Sequence, residues 1–255
     1  MWRPFLIAAR FLTRLPLPDP GTASRPDLGR AALFFPLVGL SIGAIVWGLS
    51  QLAMVSGAPA SGLAVALVLL AWVWLTGGLH LDGLADTADA WIGGLGSRDR
   101  TLEIMQDPRS GPFGVMALML VLLCKWTALS ALLASGAPLG LIFWIPVLAR
   151  AQLLLLVLTT PYARPTGLGA ELRTHIPRTW AWTWLAVVLL ASVMSLGAQG
   201  LGPVAAAGLL FLWLRRSLLA RLGGFSGDTA GALVELSETL MLVVAVFFRV
   251  SLRGP

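Results

Sequence analysis

Apolar residues in this chain run in long unbroken blocks separated by short polar stretches. They do not alternate with a period of two. A helix that crosses a bilayer needs about 20 apolar residues, and seven such blocks fit: roughly 31–55, 61–81, 112–134, 139–160, 180–200, 202–221 and 231–250. Without alternation a barrel is excluded, and helices are then the only elements that satisfy their backbone in lipid. The pattern therefore predicts an all-α, polytopic helix bundle of about seven transmembrane helices, one domain over residues 1–255. Residues 1–30 stand apart. Their apolar run is short and broken by Arg10 and Arg14, so the stretch reads as an amphipathic interfacial segment and not as a signal peptide.

Composition agrees. Only 12% of residues are charged and 57% are apolar, against about 25% charged in a soluble domain. The single cysteine, Cys124, cannot form an internal disulfide. A net charge of +6 would suggest nucleic acid in a soluble protein, but here the basic residues follow topology. Fourteen of the eighteen fall in the N-terminal segment and in the stretches around 98–109, 164–178 and 215–221. The turns at Ser56–Pro59, Ser135–Pro138 and Gly197–Gly200 carry no charge. By the positive-inside rule the N-terminus and the long polar loops are cytoplasmic. Arg249 and Arg253 fit less well, which points to a last span that is shallow or ends in the interface. The loops 80–111, 159–179 and 222–230 hold most of the polar residues. A transporter would place such groups near the midplane; an enzyme working on a soluble substrate would gather them at one face. Gly39 and Gly43 have the spacing of helix packing. The same spacing in Gly223, Gly227 and Gly231 includes Asp228, so packing alone accounts for it less well.

The most concentrated chemistry is Asp82, Asp86 and Asp89, spaced i, i+4, i+7 at the end of the second span. On a helix they share one face. At about 6 Å and an effective dielectric of about 20, each close pair costs roughly 3 kcal/mol. No basic residue lies between His80 and Gly96 to relieve it. A solvated helix end is the bland alternative; a hard cation, Mg²⁺, arriving with a phosphate-bearing substrate explains the stripe better. Glu103 and Asp107 follow at i, i+4 on a short helix that Pro108 ends. Beside the stripe, Asp107 becomes a metal-ligand candidate and Arg109 a phosphate clamp. Asp228 and Glu235 share a face at i, i+7, and Glu235 lies about one turn into the membrane, where a carboxylate is costly unless it faces protein or a cavity. Lys125 and Arg150 are the deepest charges, expected either to contact phosphate or to partner an inward carboxylate. His80 and His175 have no metal-ligand company. Trp2, Trp91, Trp180 and Trp182 suit an interfacial belt.

Gly78-Leu79-His80-Leu81-Asp82-Gly83-Leu84-Ala85-Asp86-Thr87-Ala88-Asp89 resembles the signature of the cobalamin synthase family, the adenosylcobinamide-GDP ribazoletransferases. The resemblance is colinear over nearly the whole chain. It includes Phe11-Leu12-Thr13-Arg14-Leu15-Pro16, Phe35-Pro36-Leu37-Val38-Gly39 and Glu103-Ile104-Met105 with Asp107, Arg109, Gly111 and Phe113-Gly114. It continues through Tyr162-Ala163-Arg164 with Gly167-Leu168-Gly169, and Gly223-Gly224-Phe225-Ser226-Gly227-Asp228 with Glu235 and Glu238. Gln106, Pro108, Pro112, Ser226 and Ala230 depart from the family's usual residues. The resemblance implies an Mg²⁺-dependent transferase of the cytoplasmic (inner) membrane, with its site facing the cytoplasm. It would join adenosylcobinamide-GDP to α-ribazole or its 5′-phosphate, giving adenosylcobalamin or its phosphate and releasing GMP. On that reading Asp82, Asp86, Asp89 and Asp107 are metal ligands. Asp82, Asp89, Asp228 and Arg109 act in catalysis, with Asp89 or Asp228 taking the proton of the ribazole hydroxyl. Arg14, Arg109, Arg164, His80 and Glu235 contact substrate. The oligomeric state, homo-oligomer included, stays open.

Two other readings compete. A CDP-alcohol phosphotransferase would also use an acidic helix and Mg²⁺, but its pattern carries Ala-Arg after Asp-Gly, and here Leu84-Ala85 follows Asp82-Gly83. A cation transporter or channel lined by Asp82, Asp86, Glu235, Lys125 and Arg150 would need a second gate, which the uncharged opposite turns do not supply.

Overall fold

The computed structural model describes residues 2–55, 62–135 and 140–253, with side chains as far as Phe248. Ser56–Pro59 and all of Ser135–Pro138 except Ser135 lie outside the described residues, as do the side chains of Arg249 and Arg253. The described elements are all helical: α1 (Trp2–Leu12), α2 (Arg25–Ala31), α3 (Phe35–Val55), α4 (Gly62–Thr76), α5 (Leu79–Gly93), α6 (Arg98–Ile104), α7 (Pro112–Ala134), α8 (Gly140–Thr159), α9 (Leu168–His175), α10 (Arg178–Leu196), α11 (Ala198–Leu222) and α12 (Gly227–Arg253). Six are long and apolar enough to cross a membrane, with α2 and α3 counted as one, and a seventh arises if α4 and α5 are taken as a bent pair.

α1 is the amphipathic segment the sequence predicts, burying Pro4, Leu6, Ala8, Ala9 and Leu12. Ser24 caps α2 by accepting from the Asp27 N–H at 3.3 Å, and a short 3-10 turn at Ala32–Phe34 passes the chain into α3. α8 is the axis of the bundle and its most buried span. α3 lies directly on it, because Gly39 and Gly43 have no side chain to hold off the backbone of Pro146 and Phe143. Packing is thus the role of those two glycines.

The second span differs from expectation. It stops at Thr76, not at 81, and α5 leaves at 85° to α4. The corner is made by Gly77 (φ 62°) and Gly78 (φ 70°), left-handed conformations that cost other residues but not glycine. α4 is 15 residues long, short of a full crossing by itself, and α5 turns out of its line and is set against α12 and α7. The short helix after it ends at Ile104, so Asp107 sits in the following loop and does not share a helical face with Glu103.

The polar content is also less one-sided than the loops implied. Between α7, α8 and α12, Lys125 Nζ donates to Glu235 at 2.6 Å and to Glu238 at 2.7 Å, and Arg150 pairs with Glu238. Two cations meet two anions, all buried. Ser237 donates to Gln152 at 2.7 Å beside them. Lys125 and Arg150 are therefore partners of inward carboxylates. A buried charge is tolerated when it is paired and hydrogen-bonded in this way.

Candidate active site

The acidic end of the bundle is assembled by one close crossing. A Cβ on Gly83 would lie 2.7 Å from the Asp228 carbonyl oxygen, and one on Gly231 would lie 3.2 Å from His80 Cα. Only glycines let α5 and α12 come this near, and the approach sets Asp82 and Asp228 in the wall of one hollow. Gly231 thus has the packing role; Gly223 instead ends α11 in a left-handed conformation, φ 70°.

The three loops converge here as expected. Ala163 N–H donates to Phe225 O at 2.8 Å and Phe225 N–H to Pro161 O at 2.9 Å, joining the segment after α8 to that before α12. Arg98 latches onto both, donating to Ala163 O at 2.7 Å and to Leu222 O at 3.0 Å. Arg221 reaches Thr101 at 3.3 Å. Three more arginines satisfy the last carbonyls of α8: Arg173 on Thr160 at 2.8 Å, Arg178 on Leu158 at 3.0 Å and Arg215 on Thr159 at 2.7 Å. These carbonyls have no partner within the helix, and its C-terminus favours positive charge. Topology alone does not account for this basic content.

Asp82 is exposed, while Asp86 and Asp89 are half-buried. Burial, then the nearby charges of Asp82, Asp228 and Asp89, push the Asp86 carboxyl up to about 6. Three acids thus bear on Asp86, which stands at the centre of the cluster. Asp89 is already engaged: its two oxygens accept the N–H groups of Gly111 at 2.7 Å, Phe113 at 3.1 Å and Gly114 at 2.9 Å. It caps the start of α7, whose own N-cap is Gly111 with no side chain to do so.

Asp228 accepts from Ser226 at 3.2 Å and has Arg164 NH2 at 3.5 Å. That arginine is a charge neighbour without a hydrogen bond, for its Nε and NH2 are buried with no acceptor. Asp107 instead closes on Arg109, whose Nε and NH2 donate at 2.9 and 2.8 Å. This bidentate pair holds the Asp107 carboxyl down at about 2, and it does not figure among the charges acting on Asp86. Glu235 is sunk against Lys125 and lines neither hollow at the site.

Two hollows flank Asp82. One, about 220 Å³, is mostly apolar and includes Phe11, Phe35, His80, Tyr162, Phe225 and Asp228. The other, about 410 Å³, includes Arg14, Gly77, Gly78 and Ser110. Arg14 is held there by its backbone, whose N–H donates to Leu75 O at 2.8 Å. Sequence reasoning placed Arg14 and His80 at the site. It missed Ser226 and the aromatic wall of Tyr162 and Phe225, although both belong to the motifs quoted around Arg164 and Asp228.

Fold and site together define a polytopic helical protein that gathers carboxylates and arginines at one end of its bundle, beside a mostly apolar hollow. The profile of the cobalamin-5-phosphate synthase family matches residues 4–246. Adenosylcobinamide-GDP ribazoletransferase of Pseudomonas fluorescens (strain Pf-5) is 50% identical over 96% of this chain and 99% of its own length. The protein of the same name from Pseudomonas paraeruginosa is 52% identical over 93% and 95%. No solved structure matches. The chain belongs to the cobalamin-5-phosphate synthase family.

Proposed function

We propose that this chain is an adenosylcobinamide-GDP ribazoletransferase, using Mg²⁺ at a site that faces the cytoplasm. The observation that carries the chemistry is the meeting of Asp82, Asp86 and Asp228 with an arginine whose donors are unspent. Guanidinium donors without an acceptor suit phosphoryl oxygens.

The donor set fits a hard divalent cation: Asp86 with the charges of Asp82, Asp228 and Asp89 bearing on it, and Arg164 beside Asp228. Among the described residues no three acids or histidines stand close enough to hold an ion by themselves. Mg²⁺ bound through one or two carboxylates, with water and substrate phosphate completing its shell, needs no such group. Asp82 and Asp86 would hold it, and it would supply neutralisation of charge on the diphosphate. Asp89 contributes from behind, fixing the loop at 107–114 through the three N–H groups it accepts.

Phosphoryl transfer asks for positioning and charge stabilisation more than covalent help. The ribazole hydroxyl oxygen bonds to the phosphorus that carries the cobinamide, and the bond from that phosphorus to the bridging oxygen breaks. GMP leaves with that oxygen. Arg164 and Arg14 take up charge on the diphosphate; Arg109 joins them on releasing Asp107. The hydroxyl proton passes to Asp228, which lines the apolar hollow and is oriented by Ser226. Asp89 is less suited to that task because its oxygens are occupied.

The test is turnover by the purified chain. With adenosylcobinamide-GDP, α-ribazole and Mg²⁺ the expected products are GMP and adenosylcobalamin in equal amounts. EDTA should stop the reaction and fresh Mg²⁺ restore it. No GMP and no cobalamin would sink the activity; full turnover in chelator would remove the metal.

A further inference from the structure

We propose that the apolar hollow beside Asp82 seats the aromatic base of the acceptor nucleoside, and that His80 reads the base through its Nε2–H. The proposal rests on the ribazole-transfer reading above. A ribazole is a ribonucleoside of a two-ring benzimidazole, with one ring nitrogen bonded to the sugar and the other a bare acceptor.

Size comes first. A cavity of about 150 Å³ holds benzene. At about 220 Å³ this hollow suits a two-ring base and excludes a corrin macrocycle. Its wall is aromatic. Tyr162 and Phe225 meet edge-on at 5.2 Å, and Phe11 and Phe35 lie 6.4 Å apart; all four rings line the space. Faces and edges of this kind bind a flat heterocycle by offset or edge-on contact. No arginine or lysine lines it; Arg164 stands 3.5 Å from Asp228, at its edge. Arg14 lines the other hollow, and Asp82 is common to both. The two substrates would meet at that carboxylate.

Recognition comes from a buried donor. His80 is only 3% exposed, and its Nε2 is buried without a hydrogen-bond partner. On the opposite side of the ring, Arg150 NH2 lies 3.4 Å from Nδ1. A guanidinium can only donate, so Nδ1 accepts and the ring proton resides on Nε2. That leaves a buried N–H with no acceptor on a residue that lines the hollow. The bare nitrogen of the base is an acceptor of the right kind, and Arg150 is itself fixed by Glu238.

The experiment uses the full chain in lipid nanodiscs and two acceptors, α-ribazole and its indole counterpart, in which a C–H replaces the bare nitrogen. A site built to hydrogen-bond a group rejects an analogue lacking it strongly. The wild type should prefer α-ribazole by at least ~100-fold in kcat/KM. His80→Phe should remove most of that preference and raise the KM for α-ribazole tenfold or more, leaving the KM for adenosylcobinamide-GDP in place. His80→Gln should recover the preference, since its amide can accept from Arg150 and donate to the base. Gly227→Val provides a second arm away from the ion network. Gly227 lines the hollow, and a Cβ there would meet nothing within 4 Å, so the new side chain fills space without displacing backbone. It too should raise only the α-ribazole KM. Equal handling of the two acceptors by the wild type would overturn the assignment, as would an unchanged α-ribazole KM in Gly227→Val or equal shifts of both KM values in His80→Phe. Turnover without these discriminations defeats the pocket alone; no turnover from any acceptor defeats the transferase reading and the pocket with it.

Discussion

Replacing Lys125 by Met should destabilise the protein far more than replacing its partner Glu235 by Gln. The ammonium of Lys125 is hydrogen-bonded to Glu235 at 2.6 Å and Glu238 at 2.7 Å, and Glu238 is also held by Arg150. Lys125→Met leaves Glu235 as a buried anion without a partner. Breaking a buried pair on one side costs about 3–5 kcal/mol. Glu235→Gln leaves Lys125 on Glu238, and Gln can still accept from it, so the loss should be about 1–2 kcal/mol. The double variant restores neutrality, with Arg150 on Glu238, and should recover at least half of the Lys125→Met loss. A double-mutant cycle on the purified protein in detergent, followed by thermal unfolding, reads these differences. At about 2–4 °C per kcal/mol for a chain of this size, Lys125→Met should lower Tm by about 6–20 °C. The reasoning is refuted if Lys125→Met costs no more than Glu235→Gln, or if the two losses simply add.

Three further outcomes separate the acids of α5. Asp82→Asn should abolish turnover while the Tm of the metal-free protein holds or rises, because one repelling anion is gone; near-normal activity would show that Asp82 is not needed. Asp89→Ala should lower stability by about 1.5–3 kcal/mol through the loss of charge-assisted bonds to three N–H groups, with hydrogen exchange rising across 111–114; an unchanged Tm and unchanged exchange would deny the cap. Asp86 should make the metal-free protein lose stability as pH rises. Its carboxyl is pushed from the ordinary 3.8 up to about 6, so between those values the folded state binds more protons than the unfolded one, and deprotonation costs the fold. Asp86→Asn should flatten Tm across that window; a slope that survives the substitution assigns it elsewhere.

The helices were legible because lipid imposes a length and an apolar continuity that a single sequence displays. The corner at Gly77–Gly78 was not, because apolar content runs on past it to Leu81 and the hydropathy of a span cannot register a turn. The adjacent glycines were the local sign. Helix α6 shows a similar limit. Pro108 bars helix only from about its own position, whereas the helix stops at Ile104. Charge counting did better inside the bundle. Two cations in spans left a choice between phosphate and inward carboxylates, and Glu235 and Glu238 are their partners. What could not be read was any bond to main-chain carbonyls or amides far along the chain. Arg215 serves Thr159 and Asp89 serves Gly111, and neither acceptor nor donor has a residue type to betray it. For α7 an indirect sign existed, a helix opening on Gly111-Pro112 with no polar side chain of its own as cap.

The buried quartet and the acidic site are linked through the geometry of α12. Asp228 and Glu235 are seven residues apart, about 10 Å along a helix and nearly two full turns. Glu235 is tied to Lys125 on α7, and Glu238 to Arg150 on α8, so the rotation of α12 about its own axis is fixed from two sides. A slip of one residue turns a helix by about 100° and would carry Glu235 off its partner into apolar surroundings. Apolar contacts among leucines and valines tolerate such slips; a pair of buried ion bonds does not. Fixing that rotation also fixes where Asp228 emerges, against Gly83 and in the same hollow as Asp82. Arg150 extends the same constraint to the ring of His80. Charges that are costly to bury thus hold both the carboxylate and the imidazole at the substrate end in register.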